Sequence, residues 1–142
     1  MNQAGTKKKK VLFICTHNIA RSQMAEGLLR AFHGDAYEAF SAGTTPGILN
    51  PFCVKAMAEI GVDMSGHRSK AISEVERIGF DLVITLCDQA REACPCIPGR
   101  HQMIHKGFDN PSALTGTDDR IMAEIRRIRD EIRAWIDQYF SK

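Results

Sequence analysis

The stretch Val11-Leu-Phe-Ile-Cys15-Thr-His-Asn-Ile-Ala-Arg21-Ser22 decides the fold. Its first five residues are a continuous apolar run ending at a turn, the pattern of a strand buried on both faces of a parallel sheet. From Arg21 to His33, the apolar residues Met24, Leu28, Ala31 and Phe32 recur at helical spacing. Strand, short loop and helix thus follow one another directly.

The same alternation continues outward. Tyr37 to Ser41 predicts a short strand stopped by Ala42-Gly43. Asn50-Pro51 opens a second helix to Ile60, with Asn50 as N-cap, Pro51 at N1 and Gly61 behind it. Ile72, Val75 and Ile78 predict a helical turn ending at Gly79, and Asp81 to Cys87 is a second strongly apolar strand. Residues 88–101 hold two Pro, a Gly and no clear period, so they predict a long loop; Gln102 to His105 is a last short strand. Thr117 caps a final helix whose apolar stripe runs through Ile121, Ile125, Ile128, Ile132, Trp135 and Tyr139. Its Arg126, Arg127, Arg129 and Arg133 alternate with acids and read as a solvated face. The expected fold is α/β: a four-stranded parallel sheet with helices on both faces in the flavodoxin-like order 2-1-3-4. Its ligand crevice would lie at the carboxyl ends of strands 1 and 3, where Cys15 and Cys87 stand.

A chain of 142 residues, 44% apolar and 25% charged, suits one domain with a real core. It has no run of roughly 18 apolar residues, and its polar, lysine-rich start lacks an apolar h-region, so neither a membrane span nor a secretory signal is expected. The net charge of +2 comes from Lys7 to Lys10; without that block the chain has 15 basic and 17 acidic residues. No nucleic-acid footprint follows from such a balance. The expectation is a flexible basic tail over 1–10 and a single catalytic domain over 11–142, monomeric and cytoplasmic. Five Cys, an odd count without an export signal, are to be read for reactivity or metal binding rather than for a disulfide framework.

The loop after the first strand is the first chemical constellation. Thr16, His17, Asn18, Ile19, Ala20 and Ser22 bring successive N–H groups and a helix N-terminus into one small space, which suits a tetrahedral oxyanion. Arg21 adds a planar fork for two anion oxygens. Cys15 shares that field, which favours a thiolate, and the Ser22 hydroxyl can donate to its sulfur. Five Cys and 11 Arg give roughly 0.4 matches to this Cys-to-Arg spacing by chance. Cys94 and Arg100 repeat the spacing, but Pro95 and Pro98 between them lack the donors a cradle requires.

The second constellation is thiols. Strands 1 and 3, neighbours about 4.8 Å apart in the expected order, would bring Cys15 and Cys87 near disulfide range. Cys94 follows Cys87 by seven residues, so three thiols could pass oxidation outward. A zinc site from Cys87, Cys94, Cys96, His101 and His105 is the rival, although the spacing matches no common zinc pattern. Cys53, beside Val54 and Met57, reads as a small core residue.

These residues resemble low-molecular-weight tyrosine phosphatases and, more closely, the thioredoxin-coupled arsenate reductases of the same fold. The carriers are Cys15-Thr-His-Asn-Ile-Ala-Arg-Ser-Gln-Met-Ala-Glu-Gly27, Ser41-Ala-Gly43, Asp81 to Cys87, Cys87-x6-Cys94-Pro95 and Gly107-Phe-Asp-Asn-Pro111. The phosphatase branch shares the loop but lacks the later thiols. The resemblance implies reduction of arsenate to arsenite without a cofactor or metal. Cys15 would attack arsenic, Arg21 and the N–H groups from Thr16 through Ser22 would hold the charge, and Asn18 would keep the loop in shape. Cys87 and then Cys94 would carry the disulfide to the surface for thioredoxin. The alternatives are a phosphatase acting on phosphomonoesters and a non-enzymatic oxyanion or metal binder.

Three positions depart from the family pattern. Asn110 stands where the family has an acidic Asp before Pro111, so Asp109 or solvent would supply the proton. Lys70 aligns with an Asp that helps some members bind potassium; its ammonium would stand in for the ion, and no bound potassium is expected. Cys96 adds a thiol that could substitute for Cys94.

Overall fold

The computed structural model describes residues 8–86 and 101–141. Four strands, β1 (Lys9–Cys15), β2 (Tyr37–Gly43), β3 (Leu82–Thr85) and β4 (Gln102–His105), form one parallel sheet in the order β2-β1-β3-β4, as expected. Three α-helices, α1 (Arg21–His33), α2 (Pro51–Ala58) and α3 (Asp118–Phe140), and two short 3-10 turns accompany the sheet among the described residues. The apolar run reads correctly because β1 is central: residues 11–15 are all buried, flanked by β2 and β3.

The period-2 alternation of β1 splits the core into two layers. Val11 and Phe13 face Met24, Leu28 and Leu29 of α1, Cys53 and Met57 of α2, and Ile125, Ile128 and Ile132 of α3. Leu12 and Ile14 face the other way, against Val75, Phe80 and Val83. Helical cover is therefore unequal: all three α-helices join the first cluster, and the second face is closed by 71–80. That segment holds a 3-10 turn, Ile72–Glu74, ending before Gly79 in a left-handed conformation (φ 82°). The spacing of Ile72, Val75 and Ile78 is three residues throughout, which matches the 3.0-residue period of a 3-10 turn.

Four readings need correction. The basic block is not all tail, because β1 begins at Lys9 and pairs Lys9 and Lys10 with Tyr37 and Glu38. Lys10 N–H also donates to Asp81 Oδ2 at 2.8 Å. In α1 the buried stripe runs through Met24, Ala25, Leu28 and Leu29, whereas Ala31 and Phe32 are exposed. The Phe32 ring instead stacks under Arg133, whose Cζ is 4.2 Å from its centroid. In α3 the deepest line is Met122, Ile125, Ile128, Ile132, Ile136 and Phe140; Ile121, Trp135 and Tyr139 flank it half-buried. Arg129 belongs to that buried face, donating to Ala56 O at 2.9 Å, Glu59 Oε1 at 3.0 Å and Asp130 Oδ1 at 2.8 Å. Its charge is compensated where α3 crosses the end of α2, a junction no local pattern reveals.

The cap expectations hold. Asn50 Oδ1 accepts from Phe52 N–H at the start of α2 with Pro51 in its first turn, and Thr117 Oγ1 accepts from Arg120 N–H at the start of α3. The long loop over 88–101 falls, apart from His101, outside the described residues.

Candidate active site

The end of β1 delivers Cys15 to the carboxyl edge of the sheet, and α1 starts six residues later at Arg21. Between them the backbone must reverse within five residues. Asn18 makes this possible with φ 55°, in the left-handed region that asparagine tolerates better than most.

The loop is fixed from three sides. Thr16 O accepts from Thr45 N–H at 2.9 Å and from Thr44 Oγ1 at 3.1 Å. His17, exposed, donates from Nδ1 to Thr45 O at 2.8 Å, and its own carbonyl accepts from Ser69 Oγ at 2.7 Å. Ile19 O accepts from Asn50 N–H at 2.9 Å. Gly43, which ends β2 opposite Cys15, is required by contact: a Cβ there would lie 2.7 Å from Thr16 O and 2.9 Å from both Cys15 O and Asn18 N.

Inside the loop the polar atoms form a directed set. Asn18 Oδ1 accepts from Lys70 N–H and from Gln23 Nε2, each at 2.9 Å. Two donors at the oxygen fix the amide, so Nδ2 faces Ser22 and donates to its Oγ at 2.8 Å. Ser22 Oγ lies 2.9 Å from Cys15 Sγ. Having accepted from Asn18, the hydroxyl has its own hydrogen available for the sulfur. Cys15, Asn18, Ser22 and Gln23 are all buried.

Arg21 is also buried, and Nη1 reaches the carbonyls of Phe108 at 3.3 Å and Leu86 at 3.5 Å. The guanidinium is therefore seated by the segments after β3 and after β4. Ala20 enters α1 without a capping side chain, so the first-turn N–H groups have no intrahelical acceptor and face the loop. An oxyanion would satisfy them and meet the helix dipole at its positive end.

A second polar group lies behind the loop. Glu26 of α1, buried, accepts from Ser41 Oγ and from Arg30 Nη2 at 2.5 Å. Lys70 Nζ stands 3.7 Å from Glu26 Oε1 and donates to Arg68 O at 3.0 Å. Burial pushes the Lys70 ammonium below its usual range, opposed by Glu26. A second cation placed there would meet like charge.

The structure thus brings together Cys15, Thr16, Asn18, Ile19, Ala20, Arg21 and Ser22. Among the other expected residues, Asp109 is exposed and Oδ2 accepts from Arg127 Nη2 at 3.0 Å. Asn110 Oδ1 accepts from Ser112 N–H, opening the turn Pro111–Ala113. Cys87, Cys94 and Cys96 lie outside the described residues. The register is described as far as Leu86: Ile14 pairs with Thr85, and Leu86 N–H donates to Ile14 O at 2.8 Å. Cys87 is the next residue in the chain. Among the described residues no cluster of three or more His, Cys, Asp or Glu could hold a metal ion. Of the rival zinc ligands, His105 Nδ1 bonds Thr85 Oγ1 at 2.8 Å. Cys53 is fully buried, and burial first, with Cys15 adding, pushes its thiol up to about 12. It packs as the core residue its neighbours predict. Gln23 and His67, which sequence reasoning missed, carried no local signal; only the packed fold joins them to Asn18.

The loop closes a central strand onto a helix around one thiol and one guanidinium. A match over residues 10–140 places the chain in the low molecular weight phosphotyrosine protein phosphatase family, to which it belongs. Among its similar relatives, a protein of Halalkalibacterium halodurans named arsenate reductase is 45% identical over 88% of this chain and 90% of its own length. A solved structure of a Corynebacterium glutamicum thioredoxin-dependent arsenate reductase is 30% identical, with a TM-score of 0.66 over 97% of this chain and 65% of that one. The low-molecular-weight protein tyrosine phosphatase of T. tengcongensis shares the fold at 23% identity, with a TM-score of 0.76 over 94% and 99% of the two chains. No helix among the described residues is long and apolar enough to cross a membrane.

Proposed function

We propose that the protein reduces arsenate to arsenite, with Cys15 as nucleophile, Cys87 and Cys94 as relay thiols, and thioredoxin as electron donor. The nucleophile rests on one observation: the Ser22 hydroxyl, already accepting from Asn18, sits 2.9 Å from the Cys15 sulfur beside an uncapped helix N-terminus. The reductase reading over a phosphatase one is supported by Cys87 and Cys94 in the sequence and by relatives named arsenate reductase.

In the first step the Cys15 thiolate attacks arsenic, an S–As bond forms, and one arsenate oxygen leaves as water. Arg21 and the N–H groups from Thr16 through Ser22 hold the remaining oxygens. The Cys87 thiolate then attacks the Cys15 sulfur. An S–S bond forms, the S–As electron pair passes to arsenic, and arsenite departs reduced by two electrons. Cys94 attacks Cys87, freeing Cys15 as thiolate and leaving a Cys87–Cys94 disulfide that the thioredoxin dithiol reduces. Asp109 is committed to Arg127 at 3.0 Å. With that carboxylate engaged by Arg127 on the surface, solvent is the proton source for the departing oxygen.

One equivalent of arsenate, added to the reduced protein without reductant and followed by mass mapping, tests the scheme. A Cys87–Cys94 linkage with one arsenite released is expected, and Cys87→Ser should stop with arsenic still attached at Cys15. Free thiols with arsenate unconsumed would remove the proposal, and a Cys87–Cys96 linkage would move the second role to Cys96. The family match favours phosphomonoester hydrolysis as the second reading. With Asn110 in the acid's place it should be slow, and hydrolysis faster than arsenate reduction would reverse the ranking.

A further inference from the structure

We infer that Trp135 of α3 is a positioning residue for the Arg21 guanidinium, acting through Phe108. The inference rests on the reading of the loop after β1 as an oxyanion site. It starts from the seat of Arg21. Nη1 donates to the main-chain carbonyls of Phe108 at 3.3 Å and Leu86 at 3.5 Å, so the direction of the planar fork depends on where those oxygens stand.

The two carbonyls are not equally secured by the sheet. Leu86 directly follows β3, and its N–H donates to Ile14 O at 2.8 Å. Phe108 lies past the end of β4, and its N–H reaches Leu86 O at 3.3 Å, toward the long end of the hydrogen-bond range. One long hydrogen bond at the nitrogen does not fix the direction of the carbonyl. The side chain must supply the second fixed point.

The Phe108 ring does so. It is buried, and it meets the Trp135 ring edge-to-face with centroids 6.3 Å apart at 71°. Lys106 Nζ stands 5.5 Å from the Phe108 centroid. Trp135 is itself held by its own helix: it stacks on Tyr139 at 5.2 Å and 19°, and Phe140 meets it edge-on at 6.3 Å and 85°. Half-buried beside the deepest line of α3, it presents a fixed ring to the segment that carries the Arg21 acceptor. α3 has a second hold there, Arg127 Nη2 on Asp109 Oδ2 at 3.0 Å, but both side chains are exposed and such a pair contributes little. The aromatic pair is the stronger anchor. Without the Trp135 ring, Phe108 would be free to turn and carry its carbonyl away from Nη1.

Calorimetric titration with inorganic phosphate needs neither arsenate nor the relay thiols, so its failure is separable from failure of the reductase reading. It compares wild type, Trp135→Leu, Trp135→Phe and Ile136→Val, with thermal melts alongside. Trp135→Leu should weaken phosphate binding about fivefold. Trp135→Phe, which keeps an aromatic ring beside Phe108, should restore wild-type affinity. Ile136→Val thins the buried line of the same helix; it should melt lower and bind phosphate as wild type does. Unchanged affinity in Trp135→Leu, or an equal loss in Trp135→Phe or in Ile136→Val, overturns the inference. A wild type that binds no phosphate overturns it together with the oxyanion reading. Should Trp135→Leu not fold, Phe108→Leu and Phe108→Tyr read the same pair from the other side: only the variant without a ring should lose affinity, and equal affinities refute the role.

Discussion

Ser22 Oγ stands 2.9 Å from Cys15 Sγ while it accepts a hydrogen bond from Asn18 Nδ2. Its hydrogen is available to the sulfur, and the proposed attack uses it as a donor to the Cys15 thiolate. Ser22→Ala removes that hydrogen without adding bulk. A hydrogen bond to a charged partner is worth about 1.5–3 kcal/mol, so the rate of arsenic attachment to Cys15 should fall roughly 10- to 100-fold. Rapid-quench measurement of the first step, with melting temperature as control, checks it; an unchanged rate would exclude the donor role.

Gly43 is fixed by backbone rather than by side chains. Its missing Cβ would sit 2.7–2.9 Å from three main-chain atoms of the loop. None is a flexible tip that can swing away, so Gly43→Ala must move either the end of β2 or the loop. The expected cost is about 1–3 kcal/mol of stability. Displacing Thr16 and Asn18 should also weaken inorganic phosphate binding, measured by calorimetry. A stable variant with full phosphate affinity would show that the loop tolerates a shift the geometry forbids.

Local pattern made β1, its loop and α1 legible, because a central strand needs an unbroken apolar run and Met24 and Leu28 recur at helical spacing on the buried side of α1. Asn50-Pro51 and Thr117 announced their helices through capping chemistry that acts within three residues. The order 2-1-3-4 followed from alternation and the handedness of crossovers. The candidate loop was legible for the same local reason. What failed was long-range. Arg129 looks like its neighbours Arg126 and Arg127 in the sequence, yet its guanidinium is buried against Ala56 O and Glu59, 73 and 70 residues away. The bond between Gln23 and His67 spans 44 residues. Polar partners of this kind have no period, and only the packing of three elements at one point creates them.

Glu59 ties α2 to α3 and makes that junction sensitive to acid. Its carboxyl is held down to about 2, chiefly by hydrogen bonds from Arg126, with burial opposing and Arg129 adding. The folded value lies below the ordinary 4.5. The unfolded chain therefore takes up the proton first, and this contribution to stability is complete above 4.5 and is lost as pH falls toward about 2. Glu59→Gln should lower the urea midpoint at neutral pH and flatten its decline across that window. If both proteins lose stability in parallel on acidification, Glu59 is not the titrating group.

Lys70 gives the last prediction. Its ammonium is 3.7 Å from Glu26 Oε1 and bonded to Arg68 O, while its backbone N–H holds Asn18 Oδ1. The side chain supplies a second positive charge, beside Arg30, that the Glu26 carboxylate faces behind the loop, and the main chain transmits the position to Asn18. An added potassium ion would compete with a tethered cation and meet its repulsion. Initial rates in potassium chloride and in choline chloride at matched ionic strength should therefore coincide. Lys70→Asp replaces the ammonium by a second carboxylate near Glu26, leaving Arg30 to compensate both. That variant should melt lower in choline chloride and recover part of the loss in potassium chloride, because a small cation can then enter where the ammonium was. A wild-type rate that rises with potassium would mean that Lys70 does not fill the cation's place.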